Sequence, residues 1–250
     1  MNSSGVLYIA FGPSFTQEAV LSYKSLRRFM KDTPVCFMTD SLGRLSEIED
    51  ENLIKTHIKP KHIRSKVDFI SQSPFEKTLY LDSDTLIVQD LSDIFDSLER
   101  FDVAVTHDYA RKRRKYSKII PEYSNIPYSF SEVNGGVFAF KKNERTDKFL
   151  ALWKEYFYKY FNKTSGWDQV SLRISLWEST VQLYHLPVEY NIRSQANRDK
   201  QDLFHHEFGE EHLSPRIYHM HYDREVHFGK FNVETVEELE RRVIPQAIKF

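Results

Sequence analysis

Short apolar runs alternate with stretches of helical periodicity through the first hundred residues. Four of these runs have the length of strands, namely Val6 to Phe11, Val35 to Thr39, Leu53 to Ile58 and Thr78 to Leu81. Between the first two runs, Ser14-x-x-Gln17 resembles a capping box, and apolar residues recur at helical spacing from Ala19 to Met30. Strands that alternate with helices predict an α/β fold with a mainly parallel sheet flanked by helices.

The rest of the chain continues this alternation. We predict helices over Ile63 to Ile70, Thr146 to Phe161 and Val233 to Ala247, a helix that opens at Gly166, and strands over Phe101 to Thr106, Glu132 to Phe140 and Ile217 to His221. The aromatic residues at helical intervals between 149 and 160 are assigned to the core. A chain of 250 residues can bury one substantial core, so we predict a single domain.

Composition excludes some partners. The formal net charge is -1, so there is no electrostatic bias toward nucleic acid. The single cysteine, Cys36, lies in an apolar run, which predicts a buried thiol and permits a reducing compartment. No window approaches the ~20 apolar residues of a membrane span. We expect a soluble cytoplasmic protein, with peripheral association with a membrane left open.

Two carboxylates follow the fourth strand. Side chains alternate faces in an extended chain, so Asp82 and Asp84 point the same way and Ser83 points opposite. Ligands of open α/β sheets collect beyond the carboxyl ends of strands. This spacing favours a divalent metal held against a diphosphate, and a solvated acidic turn is the alternative.

This segment carries a family resemblance. The strand that reads apolar-Tyr-Leu-Asp-x-Asp and continues into an amphipathic stretch from Leu91 to Leu98 resembles the glycosyltransferases of the GT-A fold. More narrowly, it is similar to the glycogenin and lipopolysaccharide galactosyltransferase type of family 8. The resemblance implies a Rossmann-like sheet and transfer of a sugar from a nucleoside-diphosphate sugar, with uridine as the expected base. It divides the domain into a nucleotide-binding half (1–100), a sugar and acceptor half (101–222) and a C-terminal helical extension (223–250).

The resemblance also implies a site. It places the sugar-contacting groups Asn134, Asp168 and Gln169 in catalytic positions, with Gly135 and Gly136 beside the donor. The metal ligands would be Asp82, Asp84 and His219, with His221 in reserve. The remaining donor contacts would come from Ala10, Phe11, Gly12, Thr39, Asp40, Arg64, Lys66, Ser83 and Lys230. The family's Lys-Pro-Trp is absent, and Lys230 is only the nearest lysine.

The expected cofactor is Mn²⁺ or Mg²⁺. An imidazole beside two carboxylates favours Mn²⁺ over Ca²⁺, because borderline metals accept nitrogen more readily, and Mg²⁺ stays possible. The acceptor, a glycan, lipid or protein, is not readable from the sequence. Its contacts are expected in the loops 111–126 and 197–213. The basic run from Arg111 to Lys118 is either a solvated loop or a lid, or a surface for an acidic acceptor. Oligomeric state and anomeric stereochemistry stay open, and no catalytic base is nominated.

Three other functions compete. A haloacid-dehalogenase-type phosphatase also begins with an apolar strand and Asp-x-Asp, but Leu86 stands where that motif has Thr or Val. A sugar-1-phosphate nucleotidyltransferase needs a glycine-rich, cationic first loop, and GPSFTQ has one glycine and no cation. A protein that binds sugar nucleotide without turnover would be free to lose the site residues that are present here.

Overall fold

The computed structural model describes residues 4–62, 64–209, 213–220 and 233–244. The strands are β1 (Ser4–Ala10), β2 (Val35–Thr39), β3 (Leu53–His57), β4 (Lys77–Leu81), β5 (Thr85–Ile87), β6 (Val103–His107), β7 (Val133–Lys141), β8 (Leu183–His185) and β9 (Ile217–His219). The helices are α1 (Pro13–Arg27), α2 (Asp93–Arg100), α3 (Arg114–Ser117), α4 (Pro121–Asn125), α5 (Glu144–Thr164), α6 (Asp168–Glu178), α7 (Gln195–Phe208) and α8 (Val236–Val243).

Seven strands form the central sheet, in the order β3-β2-β1-β4-β7-β6-β8. The pairs β1 with β2, β1 with β4, β2 with β3 and β6 with β8 are parallel. The pairs that β7 forms with β4 and β6 are antiparallel. The predicted fold, a mainly parallel sheet with flanking helices, is confirmed.

Hydrophobic clusters cover both faces of this sheet. Along β1, Val6 and Tyr8 belong to the cluster that packs on α1 and α2, whereas Leu7 and Ile9 belong to the cluster that packs on α5 and α6. This alternation follows from the pleat, which sends successive side chains to opposite faces. The aromatic residues of α5 are buried, as predicted, and so is Cys36.

A second, two-stranded sheet pairs β5 with β9 in antiparallel register, with Thr85 opposite His219. It brings the late segment 217–220 against the turn that follows β4. Helix α8 packs its buried residues Val236, Leu239 and Val243 on residues of β5 and β9. The C-terminal helix therefore covers this small sheet, and residues 245–247 of its predicted range lie outside the described residues.

One predicted element is wrong. Over its described residues 64–70, the helix predicted from Ile63 to Ile70 is replaced by two short 3-10 turns, Ser65–Asp68 and Ile70–Gln72. Two side chains of this segment make distant contacts, because Lys66 pairs with Asp82 and Asp168, and Asp68 pairs with Lys154. Such contacts override local helix propensity. Across the described parts of the chain, no helix is both long enough and apolar enough to span a bilayer.

Candidate active site

A cleft of about 340 Å³ opens at the carboxyl ends of β1 and β4. Its lining includes Ile9, Ala10, Phe11, Phe15, Arg64, Lys66, Tyr80, Asp82, Ser83, Asp84, Asn134, Gly135, Gly136, Trp167, Asp168, Gln169, Arg193 and His219. This is the location that open α/β sheets favour for ligands. Most of the residues nominated from the sequence therefore share one cavity.

Three side chains in the cleft form a candidate metal site. One ligand atom each from Asp82, Asp84 and His219 lie within 4.8 Å of one another, and no other such group of three occurs among the described residues. His219 Nε2 lies 3.1 Å from Asp84 Oδ1 and 3.8 Å from Asp82 Oδ2. The pairing of β5 with β9 positions the imidazole, because it fixes His219 opposite Thr85.

Asn191 orients the His219 ring. The Oδ1 atom of Asn191 lies 2.9 Å from His219 Nδ1, and its Nδ2 donates to Asn134 Oδ1 and Thr106 Oγ1. Since Nδ2 is committed as a donor, Oδ1 accepts, and His219 Nδ1 carries the proton. The other ring nitrogen, Nε2, then faces Asp84 and Asp82 and is the atom that would bind a metal.

Gly136 leaves room for these ligands. A Cβ added there would lie 2.4 Å from His219 Cε1 and 2.5 Å from Asp82 Oδ2. The Gly136 carbonyl also accepts a hydrogen bond of 2.7 Å from the Asp82 backbone N–H. The backbone of β7 therefore packs directly against the candidate metal site.

A buried ammonium joins the metal site to the sugar-contacting side of the cleft. Lys66 Nζ lies 3.1 Å from Asp82 Oδ1 and 3.1 Å from Asp168 Oδ2, and it donates to the Gly135 carbonyl at 3.0 Å. Desolvation lowers the pKa of Lys66, but Asp168 and Asp82 outweigh it and raise that pKa above its usual range. The side chain therefore stays cationic in the folded protein.

A carboxyl group lies behind the metal site. Glu18 of α1 is buried and accepts a hydrogen bond of 3.1 Å from Ser83 Oγ. Burial and the neighbouring Asp84 raise the pKa of Glu18 to about 8, against the opposing effect of Ser83. Ser83 and Asp84 lie in the turn that joins β4 to β5, and Ser83 lines the same cleft as Asp82 and Asp84. The extended alternation predicted for Asp82 to Asp84 is therefore replaced by a turn.

The family model described as nucleotide-diphospho-sugar transferase matches residues 77–232, more than half of the chain. The chain belongs to this family. Its fold is the GT-A fold of glycosyltransferases, and the protein is a glycosyltransferase.

Solved structures share the fold. The galactosyltransferase LgtC, in complex with donor and acceptor sugar analogues, is 14% identical over 97% of this chain and 98% of that chain, with a TM-score of 0.62. Mouse xyloside xylosyltransferase 1 is 13% identical over 88% of this chain and 98% of that chain, with a TM-score of 0.59. The bifunctional glycosyltransferase WbbM is 15% identical over 88% of this chain and 46% of that chain, with a TM-score of 0.58. A search of curated protein sequences found no match.

In this transferase, the residues nominated for the sugar lie together. Gln169 Nε2 donates to Asp108 Oδ2 at 2.7 Å and to the Val133 carbonyl at 3.3 Å. Because both partners are acceptors, the amide orientation is fixed, and Oε1 is the atom left for the cleft. Asn134 also lines the cleft, and its Oδ1 accepts from Gly136 N–H and Asn191.

The residues nominated for uridine divide into two groups. Ala10 and Phe11 line the cleft. Gly12, at φ 81°, donates its N–H to Asp40 Oδ1 at 2.7 Å beside the end of β1. Thr39 is fully buried, with its hydroxyl 2.8 Å from that of Thr16. Its side chain fixes the start of α1 and does not reach the cleft surface.

Two nominated residues, His221 and Lys230, lie outside the described residues. Among the cleft-lining and supporting side chains, the sequence pattern did not single out Tyr80, Asp108, Trp167, Asn191 or Arg193. Tyr80 lies next to Leu81 on a buried strand, so the sequence pattern assigns it to the hydrophobic core. In the structure its hydroxyl donates to Asp82 Oδ1 at 2.6 Å. Trp167 directly precedes the nominated Asp168. Asp108, Asn191 and Arg193 reach the site from separate segments, so no local spacing connects them with it.

Proposed function

We propose that this glycosyltransferase transfers a sugar from a UDP-sugar to an acceptor hydroxyl with a divalent metal held by Asp82, Asp84 and His219. The observation that carries the proposal is the convergence of these three residues inside the cleft that Asp168 and Gln169 also line. The tautomer of His219 and the space left by Gly136 both suit a metal.

The three ligating side chains determine which metal ions suit the site. Two carboxylates and one imidazole suit Mn²⁺ or Mg²⁺, and the nitrogen favours Mn²⁺. When bound, the ion supplies Lewis-acid neutralisation of the charge that develops on a departing diphosphate.

The chain's own residues bind and orient the donor in this proposal. Lys66 holds the Asp82 carboxylate in place, and it adds positive charge beside the diphosphate. Arg64 lines the same cleft and provides a second cation for the phosphates. The nucleoside lies along Ala10 and Phe11, with Gly12, Thr39 and Asp40 supporting that end.

The sugar lies against the opposite side. Asn134, Asp168 and Gln169 contact its hydroxyl groups, and Gly135 allows close approach. In the reaction, the bond between the anomeric carbon and the phosphate oxygen breaks, and its electron pair stays on the diphosphate. The acceptor hydroxyl oxygen bonds to that carbon, and its proton is released to solvent. No base is assigned, and the stereochemistry is left open.

The competing functions have less support. The family model that matches this chain is that of a sugar transferase and not of a phosphatase, and it is an enzyme family. The cytoplasmic location and the division into a nucleotide half and a sugar half stay predictions from the sequence.

Calorimetry with a panel of nucleotide-sugars tests the proposal. We expect one uridine-linked donor to bind with Mn²⁺ present and to bind at least tenfold more weakly after the metal is stripped. Equal binding with and without metal would contradict metal dependence, and binding of no donor at all would contradict the assigned site.

A matched pair of variants tests the ligands. Asp84→Asn should lower Mn²⁺ affinity and metal-dependent donor hydrolysis at least tenfold, because a neutral amide is a poorer ligand. Asp96→Asn changes an exposed aspartate on α2 in the same way and should behave as wild type. Wild-type hydrolysis by the Asp84→Asn variant would remove Asp84 from the metal site.

A further inference from the structure

The basic run from Arg111 to Lys118 has an inner and an outer part. Lys112 donates to two backbone carbonyls at 2.8 and 2.6 Å, and Arg113 pairs with the buried carboxylates of Asp108 and Glu132. These two inner cations fix the loop to the protein, so the run is not a solvated loop throughout. Its outer part consists of the exposed cations on α3 and directly after it, namely Arg114, Lys115 and Lys118.

The end of α5 adds another exposed cation to this outer part. Lys163 Nζ donates to the carbonyl of Ile119 at 3.1 Å, and Ile119 directly follows Lys118. One helical turn earlier, Lys159 pairs with Glu122 of α4 at 2.7 Å, so its charge is balanced. Lys163 therefore extends the positive surface of α3 onto α5.

The segment 59–64 reaches the same surface from a third part of the chain. Lys61 Nζ lies 5.7 Å from the ring centroid of Tyr158 on α5. Burial raises the pKa of Tyr116 on α3, and the charge of Arg64 is among those that oppose this rise, which places Arg64 near α3. We call the six exposed cations that meet here the basic face, namely Lys61, Arg64, Arg114, Lys115, Lys118 and Lys163.

Positive charge is concentrated on the basic face. Residues 59–64, 114–118 and 157–164 read KPKHIR, RKYSK and FYKYFNKT, without an acidic residue. The whole chain has a formal net charge of -1, so overall composition does not explain this surface. Within the part of the chain that the structure describes, none of the six cations forms an ion pair. Such a surface attracts an anionic partner.

Apolar side chains are exposed among these cations. Ile119, next to Lys118, is 41% exposed, and Tyr158, near Lys61, is 38% exposed. Cations beside exposed apolar side chains suit an anionic membrane, where the apolar atoms enter the boundary between headgroups and acyl chains. RNA binding relies instead on phosphate contacts and on bases stacked on aromatic rings, so an exposed isoleucine adds little to it.

The basic face adjoins the cleft. Arg64 belongs to both, because it also lines the cleft. Tyr116 of α3 packs on Trp167, another residue of the cleft lining, with ring centroids 5.7 Å apart. A partner bound to the basic face therefore lies beside the cleft.

We infer that the basic face docks this protein on a bilayer that contains anionic phospholipids. Its cations contact the lipid phosphates, and Ile119 enters the boundary between headgroups and acyl chains. Arg64 also serves the proposed donor site, whereas the other five cations do not. Docking on the membrane is therefore separable from donor binding.

Flotation with lipid vesicles tests the docking. The full chain is mixed with vesicles of phosphatidylcholine alone or of phosphatidylcholine and phosphatidylglycerol in equal parts. A chelator is present so that no metal bridges protein and lipid. We expect at least tenfold stronger partitioning onto the anionic vesicles. This preference should vanish as salt rises from about 0.1 M to about 1 M, because the Debye length falls from about 10 Å to about 3 Å.

Two double variants locate the docking surface. Arg114→Gln with Lys118→Gln removes two cations of the basic face and should lower partitioning onto anionic vesicles at least tenfold. Lys24→Gln with Lys31→Gln removes two exposed cations at and beyond the end of α1, which packs on the opposite face of the sheet. This control should partition like the wild type. Both double variants should keep the wild-type unfolding midpoint and donor hydrolysis.

Three results would overturn the inference. The first is equal partitioning of the wild type onto neutral and anionic vesicles. The second is an equal loss in the two double variants, which would show attraction by net charge alone. The third is binding of a labelled single-stranded RNA without partitioning onto either vesicle, which would indicate a nucleic-acid partner. Partitioning by a protein that hydrolyses no donor would support the docking and contradict only the proposed function.

Discussion

Gly136 is the position where one added methyl group would disturb the candidate metal site most. The Cβ of Gly136→Ala would approach His219 Cε1 to 2.4 Å and Asp82 Oδ2 to 2.5 Å, so at least one ligand must move. Loss of ligand geometry typically costs 10- to 100-fold in affinity. We expect Gly136→Ala to weaken Mn²⁺ binding by about that factor, measured by calorimetry.

Gly43 supplies the control. A Cβ added at Gly43 meets no atom within 4 Å, so Gly43→Ala should bind Mn²⁺ like the wild type. Equal Mn²⁺ affinity in Gly136→Ala and Gly43→Ala would show that the metal does not sit between Asp82 and His219.

Asn191 tests the orientation of the imidazole. Asn191→Ala removes the acceptor that holds the proton on His219 Nδ1, so the ring can rotate or present the wrong tautomer. We expect Mn²⁺ affinity to fall about 10- to 100-fold, with the unfolding midpoint measured in parallel. Asn125→Ala, at an exposed position that ends α4, should change neither quantity. Unchanged affinity in Asn191→Ala would mean that the ring is fixed by its backbone alone.

These residues show what local sequence can reveal about a site. Asp82 and Asp84 share a strand end, so their spacing alone predicts that they face one ligand. His219 was assigned through family resemblance, and the structure places it beside them. Asn191 and Asp108 carry no local signal, because each acts on the site through hydrogen bonds to residues that are distant in sequence.

A pair of stacked imidazoles joins β6 to β8. The rings of His107 and His185 lie 3.9 Å apart. Although part of each side chain is exposed, local desolvation, His107 and Arg111 together lower the pKa of His185 to about 4, and desolvation with Arg111 lowers that of His107. The unfolded chain, with a histidine pKa near ~6.5, therefore binds more protons than the folded protein between about pH 6.5 and pH 4.

This difference sets the direction of a pH effect. The stability that a neutral His185 provides is present above about pH 6.5 and is lost as the pH falls toward 4. His185→Gln should therefore reduce the fall in the free energy of unfolding between pH 7 and pH 4.5, measured by urea denaturation. His206→Gln, at an exposed position on α7, is the matched control. The same fall in the two variants would exclude the stacked pair as its source.

The sequence predicted whether a segment forms a helix or a strand wherever one spacing of its apolar residues dominated. β1, β2 and β4 were predicted to within a few residues, because each is an uninterrupted apolar run or nearly so. β3 was predicted as closely, although Lys55, Thr56 and His57 make up most of it. β5 and β8 have only three residues each and were not predicted. The antiparallel direction of β7 was also inaccessible, since a strand has the same side-chain period in either direction.

Considered as a whole, the molecule builds its site from both ends of the chain. β1 and β4 supply one wall, and β9 returns more than 130 residues after β4 to add His219 through its pairing with β5. Behind that pairing, α8 and α1 share a cluster that includes Leu21, Leu86 and Leu239. The side chains that pack α8 against α1 and β5 therefore adjoin the strand that places His219.

This arrangement predicts that metal binding stabilises the entire fold. The unfolded chain does not bring Asp82, Asp84 and His219 together, so Mn²⁺ at 100 times its dissociation constant should add about 2.7 kcal/mol to the free energy of unfolding. Urea denaturation with Mn²⁺ and with a chelator measures this difference. His219→Ala should unfold more easily under both conditions and show little gain from Mn²⁺, whereas His206→Ala should keep the full gain. A gain of wild-type size in His219→Ala would show that the metal stabilises the protein from a site that does not include β9.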